Sequence, residues 1–239
     1  MPAARTTTLR IGTSGFSYPA WRGSFYPADM PADRMLSFYA TVFPTVEINN
    51  TFYRMPTAGL LAGWRAQTPV TFRFAIKAPQ HITHRLRLRD AEAVTADLVR
   101  LTGTLARRRG PLLFQLPPYL RCDVERLDTF LSAMPFGVQV VFEFRHASWF
   151  CDETYDVLRT HRAALCVADT EEGATPLVET APFGYVRLRR PDYDDAALRD
   201  WAERVRAATR WKQTFVFFKH DEAGQAAELG RRFATLTAA

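Results

Sequence analysis

Short apolar runs alternate with longer amphipathic stretches along this chain. Such alternation predicts βαβ units and a parallel sheet. Eight runs have strand character: Leu9–Ser14, Thr45–Tyr53, Thr71–Lys77, Pro111–Leu116, Val138–Phe144, Ala164–Asp169, Tyr185–Arg189 and Thr214–Lys219. Helical patterns lie between them. Pro31–Val42 carries Met35, Leu36 and Tyr39 on one face, with Phe43 following and Pro31 suited to a first turn. Ala91–Arg108 repeats Val94, Leu98, Leu101 and Leu105 at helical spacing, and Asp123 is placed to cap a helix over Val124–Ala133. Ala196–Ala208 and Ala223–Thr235 close the series, whereas Glu171–Pro182 reads as an irregular connection between strands six and seven. Eight strands and roughly seven helices in 239 residues predict an α/β fold, a single (β/α)8 TIM-type barrel over residues 1–239 with 1–8 as a loose tail. An open doubly wound sheet is the alternative.

The strand ends carry a second pattern. Residues of one parity share a face of a strand. Glu47, Asn49 and Thr51 share a parity on strand two; strand three ends in Lys77, strand four holds Gln115, and strand five leads to Glu143 and Arg145. Strand six ends in Asp169, strand seven holds Arg187 and Arg189, and strand eight leads to Lys219 and Asp221. Strands buried on both faces should be nearly continuous apolar runs. Here the runs end in charge, and always at the C-terminal end, the rim on which barrel active sites are built. The competing reading is an ion-pair lattice that merely caps the barrel, since both signs are present and buried charges need partners.

Composition narrows the class. Hydrophobic residues make up 47% and charged residues 23%, as in a globular protein with a core. The net charge of +6 favours anionic partners without distinguishing a small ligand from nucleic acid or from a solvated basic surface. Three cysteines, none at C-x-x-C spacing, give neither a disulfide framework nor a thiolate zinc site, and fit a reduced, cytoplasmic compartment. No segment approaches the ~20 apolar residues that span a bilayer, so no membrane association is expected.

Several blocks of the chain form a specific combination. They are Ile11-Gly-Thr-Ser-Gly-Phe-Ser-Tyr18 with Trp21 and Phe25-Tyr-Pro27, Val46-Glu-Ile-Asn-Asn-Thr-Phe-Tyr-Arg54, and Phe74-Ala-Ile-Lys-Ala-Pro79 with Ile82-Thr-His84. Phe114-Gln-Leu-Pro-Pro118, Phe142-Glu-Phe-Arg-His146 with Ser148-Trp-Phe150, and Tyr185-Val-Arg-Leu188 continue it to about Leu229. Together these blocks resemble the YecE-like family, domain of unknown function 72, a resemblance that implies a TIM barrel and supplies no catalytic role. After Leu188 many members carry His-Gly where this chain has Arg189-Arg190, and after the last strand an Asn pair where it has Lys219-His220-Asp221. Both departures add positive charge.

Four kinds of chemistry follow from the rim residues. Arg187, Arg189, Arg190, Lys219 and His220 stand where barrels hold phosphate, against a competing pairing with Asp192, Asp194, Asp221 and Glu222. Glu47 and Glu143, from strands across the mouth, suit general acid–base work if burial raises one and a cation holds the other ionised; Asp169 and Lys77 extend that candidate set, and Lys77 would suit a Schiff base if desolvated. Glycoside hydrolysis and proton abstraction beside a carbonyl fit equally. His81, His84, His146 and His220 could join the carboxylates around a metal, but the surrounding cations disfavour a divalent ion; no metal and no cofactor is expected. Trp21, Tyr53 and Trp149, with Asn49, Gln115, Arg145 and His146, complete the candidate ligand-binding set, rings beside cations being a way to hold sugars and bases. Three functional classes stay open: a metal-independent acid–base enzyme acting on a small phosphorylated or carboxylated compound, a nucleic-acid binding or processing protein, and a non-catalytic scaffold.

Overall fold

The computed structural model describes residues 7–219 and 224–238. Eight parallel strands form a nearly closed barrel: β1 (Thr8–Thr13), β2 (Thr45–Ile48), β3 (Arg73–Lys77), β4 (Arg109–Gln115), β5 (Val140–Glu143), β6 (Ala164–Thr170), β8 (Phe183–Leu188) and β9 (Gln213–Phe218). A two-residue strand, β7 (Gly173–Ala174), folds back antiparallel on the end of β6. Around the wall the order is β1-β9-β8-β6-β5-β4-β3-β2. The last seam, between β1 and β2, is closed by a single bridge from Ser14 to Glu47 and by the Gly15 amide donating to the Glu47 carbonyl at 2.8 Å.

Seven α-helices wrap the described barrel: α1 (Met35–Val42), α2 (Ala58–Ala66), α3 (Glu92–Thr102), α4 (Val124–Ser132), α5 (Asp152–Thr160), α6 (Asp195–Ala207) and α7 (Gln225–Ala238). The Asp123 carboxylate caps α4 by accepting from the Arg126 amide, and Asp194 caps α6 by accepting from the Ala197 amide. Residues 175–182 cross from β7 to β8 without a helix, as the sequence pattern predicts. The long pattern over Ala91–Arg108 is broken in two: α3 stops at Thr102, and a tight turn over Gly103–Arg108 places Ala106 at φ 49° before β4.

Strand two is shorter than its sequence pattern. It ends at Ile48, and Asn50–Phe52 coils into a 3-10 turn. Asn and Thr offer the backbone local hydrogen bonds that compete with a ladder. The Thr51 hydroxyl takes that option, donating to the carbonyls of Ile48 and Lys77. This turn takes Thr51 out of line with Glu47 and swings Tyr53 into solvent, where it is 77% exposed.

Two packing zones follow from strand parity. Ala75, Leu113, Val141, Ala164, Cys166, Phe183, Tyr185, Phe215 and Phe217 fill the barrel interior as one cluster, and the opposite parity packs against the helices in the larger core. At the β1–β2 seam the backbones come so close that a Cβ on Gly12 would lie 2.1 Å from the Thr45 carbonyl oxygen. Gly12→Ala is therefore expected to cost about 1–3 kcal/mol by overpacking. Denaturant unfolding measures it, and an unchanged midpoint would show that the seam has slack.

Candidate mouth of ionisable side chains

Above the apolar interior the next layer is charged, and the two zones meet on the same strands. Tyr185 and Arg187 are consecutive inward positions on β8, as Val141 and Glu143 are on β5. Arg187 is 2% exposed and lies between two carboxylates: its Nη2 donates to Glu47 Oε1 at 2.8 Å, and its Nη1 donates to Glu143 Oε2. Glu47 is further held by Ser14 Oγ at 2.7 Å, Tyr185 OH at 2.7 Å and Asn49 Nδ2 at 2.9 Å. Glu143 accepts from Gln115 Nε2 at 2.7 Å and Arg145 Nε at 2.9 Å, with Arg189 Nη1 at 3.6 Å. Gln115 turns its other face to Lys77, whose Nζ donates to Oε1 at 2.9 Å and sits 4.0 Å from the centre of the Phe52 ring.

The electrostatics differ from the acid–base pattern expected of the sequence. Burial is the strongest single influence and would raise both carboxyls, but Arg187 together with the surrounding donors and cations outweighs it in each case. With the added bonds from Tyr185, Asn49 and Ser14, Glu47 is held below the ordinary carboxylate range. Burial opposes, while Arg187, Arg145 and Arg189 prevail, and Glu143 is pushed down to about 2. Both groups are fixed carboxylates near neutral pH, and neither is stored as a neutral acid. The group brought close to neutrality is Lys77, pulled down to about 8 by burial and by Arg187, against the opposing pull of Glu143 and Glu47. His84, on the π-helical turn His81–Arg85 after β3, is lowered by burial and by Lys77 and Arg145.

The fold thus brings Glu47, Asn49, Lys77, Gln115, Glu143, Arg145, Arg187 and Arg189 together, and places other candidates elsewhere. Asp169 has the opposite parity on β6 from Cys166 and faces the helical layer. There it accepts from Tyr193 OH at 2.9 Å and Trp201 Nε1 at 3.0 Å, with Arg190 Nε at 3.2 Å. Its strand-end position is right, but one residue of register puts it on the outer face. Trp21 is fully buried among Tyr18, Phe25 and Tyr26. Trp149 is also fully buried, stacked 4.6 Å from Phe144 and donating its indole N–H to the Leu120 carbonyl. Both are core rings under the rim loops. His146 caps the turn Ala147–Trp149, its Nδ1 accepting from the Ser148 amide at 3.1 Å. Lys219 follows β9 half-buried, its amide donating to the Leu188 carbonyl. His220 and Asp221 lie outside the described residues. Among the described residues no three His, Cys, Asp or Glu side chains gather where they could hold a metal ion. Ser14 and Tyr185, which orient Glu47, and Phe52, which covers Lys77, were absent from the candidate set. Parity carries the signal for Tyr185, two positions before Arg187, and none marks Ser14.

Two recesses open on the barrel, one at each end of the strands. One of about 320 Å³ opens beside the mouth, bordered by Phe16, Tyr18, Asn49, Asn50 and Trp64. A larger one, about 670 Å³, lies at the opposite end of the strands beside Phe136, Val140 and Phe183. It is roomier but far from the ionisable cluster.

A TIM-like barrel whose C-terminal mouth is closed by an arginine clamped between two buried carboxylates is the class these observations define. The chain belongs to the family described as "Protein of unknown function DUF72", whose model matches residues 10–239. The UPF0759 protein YunF of Bacillus subtilis is 26% identical across 95% of this chain and 94% of its own length. The UPF0759 protein YecE of Escherichia coli K12 is 30% identical over 59% of this chain and half of its own. Among solved structures, a DUF72 family protein from Thermotoga maritima superposes with a TM-score of 0.86 at 29% identity, covering 97% of this chain and all of that one. A DUF72 family protein from Enterococcus faecalis shares the fold, with a TM-score of 0.79 at 18% identity over 97% of this chain and 96% of that one. In the described residues no helix is long and apolar enough to cross a membrane.

Proposed function

We propose that the mouth binds a small phosphorylated or carboxylated compound and performs metal-independent proton transfer on it. One observation carries this reading. Arg189 reaches the carboxylate layer only at 3.6 Å, and its buried Nε and Nη1 make no hydrogen bond within the described residues. Buried donors without partners are costly and call for an acceptor. Arg187 is already engaged by both carboxylates, so Arg189, the third-exposed Arg145 and Lys77 supply positive charge in excess of the two Glu. An oxyanion answers both needs, since a guanidinium presents a planar fork to phosphate or carboxylate. In this reading the Lys77 amine promotes the proton transfer, while Glu47 and Glu143 hold Arg187 and the cation array in place. The recess beside Asn49 takes the body of the ligand.

Thermal unfolding with inorganic phosphate, sugar phosphates, small carboxylates and short oligonucleotides tests the reading. A ligand at about 100 times its Kd adds roughly 2.7 kcal/mol of stability. A shift with a small anion that Arg189→Ala abolishes is the expected outcome. A shift confined to oligonucleotides and erased by salt would replace this reading with a nucleic-acid one. No shift with any of them would leave the ion lattice as a structural cap.

A further inference from the structure

The chain takes nearly all of its positive charge from arginine: 28 arginines against three lysines, Lys77, Lys212 and Lys219. Lys212 precedes β9 at the N-terminal end of the strands, whereas Lys77 ends β3 and Lys219 follows β9, both at the mouth. Where only charge is needed, arginine serves and stays protonated; a lysine can also shed its proton and become a nucleophilic amine. The surroundings of Lys77 favour that second use. Its Nζ points at a neutral amide oxygen, Gln115 Oε1, and not at a carboxylate, and the Phe52 ring shields it on one side. Arg187 from β8 and Arg145 beyond β5 add positive charge around it, against Glu143 from β5 and Glu47 from β2, while burial, Lys77 itself and Arg145 push the proton affinity of His84 beyond β3 down. The balance places its proton loss at about pH 8.

We propose that Lys77 forms an imine with a small carbonyl compound that also carries a carboxylate or phosphate, the anionic group resting on Arg189 and Arg145. This deepens the anion-site reading and rests on it. The neutral Nζ attacks the carbonyl carbon; a C–N bond forms and the C=O π pair moves onto oxygen. A proton passes from nitrogen to that oxygen, giving a carbinolamine. Loss of the hydroxyl with the remaining N–H proton releases one water and leaves the C=N bond. No oxidant or reductant enters. The imine, protonated from solvent, withdraws electrons from the neighbouring carbon, which is how an amine of this kind activates a carbon for proton removal.

Glyoxylate, an aldehyde bearing a carboxylate, is a direct probe. The whole protein is incubated with glyoxylate and cyanoborohydride at pH 8, and peptide mapping reads the carboxymethyl mark on each lysine. Lys77 is expected to react on the order of tenfold faster than Lys212, because its lowered proton affinity leaves more neutral amine at that pH. Inorganic phosphate should suppress the glyoxylate mark by occupying the arginines, whereas the mark left by propionaldehyde, which lacks an anionic group, should be slower at Lys77 than that of glyoxylate and indifferent to phosphate. Lys77→Arg keeps the charge and should keep a phosphate-induced thermal shift while the mark at residue 77 disappears. Equal glyoxylate labelling of Lys77 and Lys212, or glyoxylate labelling indifferent to phosphate, overturns the proposal. If phosphate and glyoxylate stabilise the wild type while Lys77 stays unmodified, the anion site stands and the amine chemistry falls; if neither stabilises nor labels, both fall.

Discussion

Arg187→Met is expected to lower stability by about 3–5 kcal/mol, the range for removing one partner of a buried ion pair and stranding the other. For a chain of this size that is a fall in Tm on the order of 10 °C. The physical cause is specific. Glu47 and Glu143 are 0% and 1% exposed, and Arg187 is the cation they share. Without it they become neighbouring buried carboxylates whose ionised forms are both desolvated and mutually repelled. The pH dependence should therefore reverse. In the wild type both carboxyls are held below their unfolded values, so their contribution is present above about pH 4.3 and is lost on acidification toward the folded value of about 2 for Glu143. In the variant their proton affinities rise above the unfolded values, so stability should increase as the pH falls from 7 toward 5. Urea unfolding across that interval measures the slope. The same slope in both proteins would mean that Arg187 is not what keeps the pair ionised.

The second large effect concerns a residue whose sequence context suggested ligand contact. Trp149→Ala should cost about 3–5 kcal/mol, as for other buried aromatics cut back to alanine, because its ring is fully enclosed, stacked on Phe144, and its N–H satisfies the Leu120 carbonyl. A protein that still folds should bind phosphate as the wild type does. Unchanged stability with lost binding would instead return the ring to the ligand site. The outcome separates a packing role from a recognition role without knowledge of the substrate.

Periodicity made the architecture legible. The eight strand segments and the helix-free crossing after β6 are all written in runs of apolar residues and their spacing, because a parallel sheet covered by helices buries both faces of every strand. Helices α2 and α5 were not marked individually: α2 buries only Leu61 and Trp64, and α5 opens with the acidic Asp152 and Glu153 and buries a narrow face of Thr154, Tyr155 and Leu158. Parity was also enough to gather most of the mouth. Gln115, Glu143, Arg187 and Arg189 each sit an even number of residues from an inward apolar neighbour, and Glu47 has the parity opposite to the outward Val46 and Ile48; those relations survive folding.

Where sequence reading failed, it failed by one register step or one missing neighbour. Asp169 is at the end of a strand like the others, yet its parity turns it toward Tyr193 and Trp201, and the eye that counts strand ends does not see the face. Tyr53 and Thr51 looked like strand continuations until local hydrogen bonding won over the ladder. The protonation roles belonged wholly to tertiary structure. The sequence by itself determined a parallel barrel with charge at its C-terminal end and an excess of cations there. Only the folded arrangement decided that both carboxylates close on Arg187, which fixes them as anions, and that Lys77 is left facing an amide and a ring among cations. Proton affinity depends on charges a few ångströms away in space, and those neighbours come from strands up to 140 residues apart in the chain.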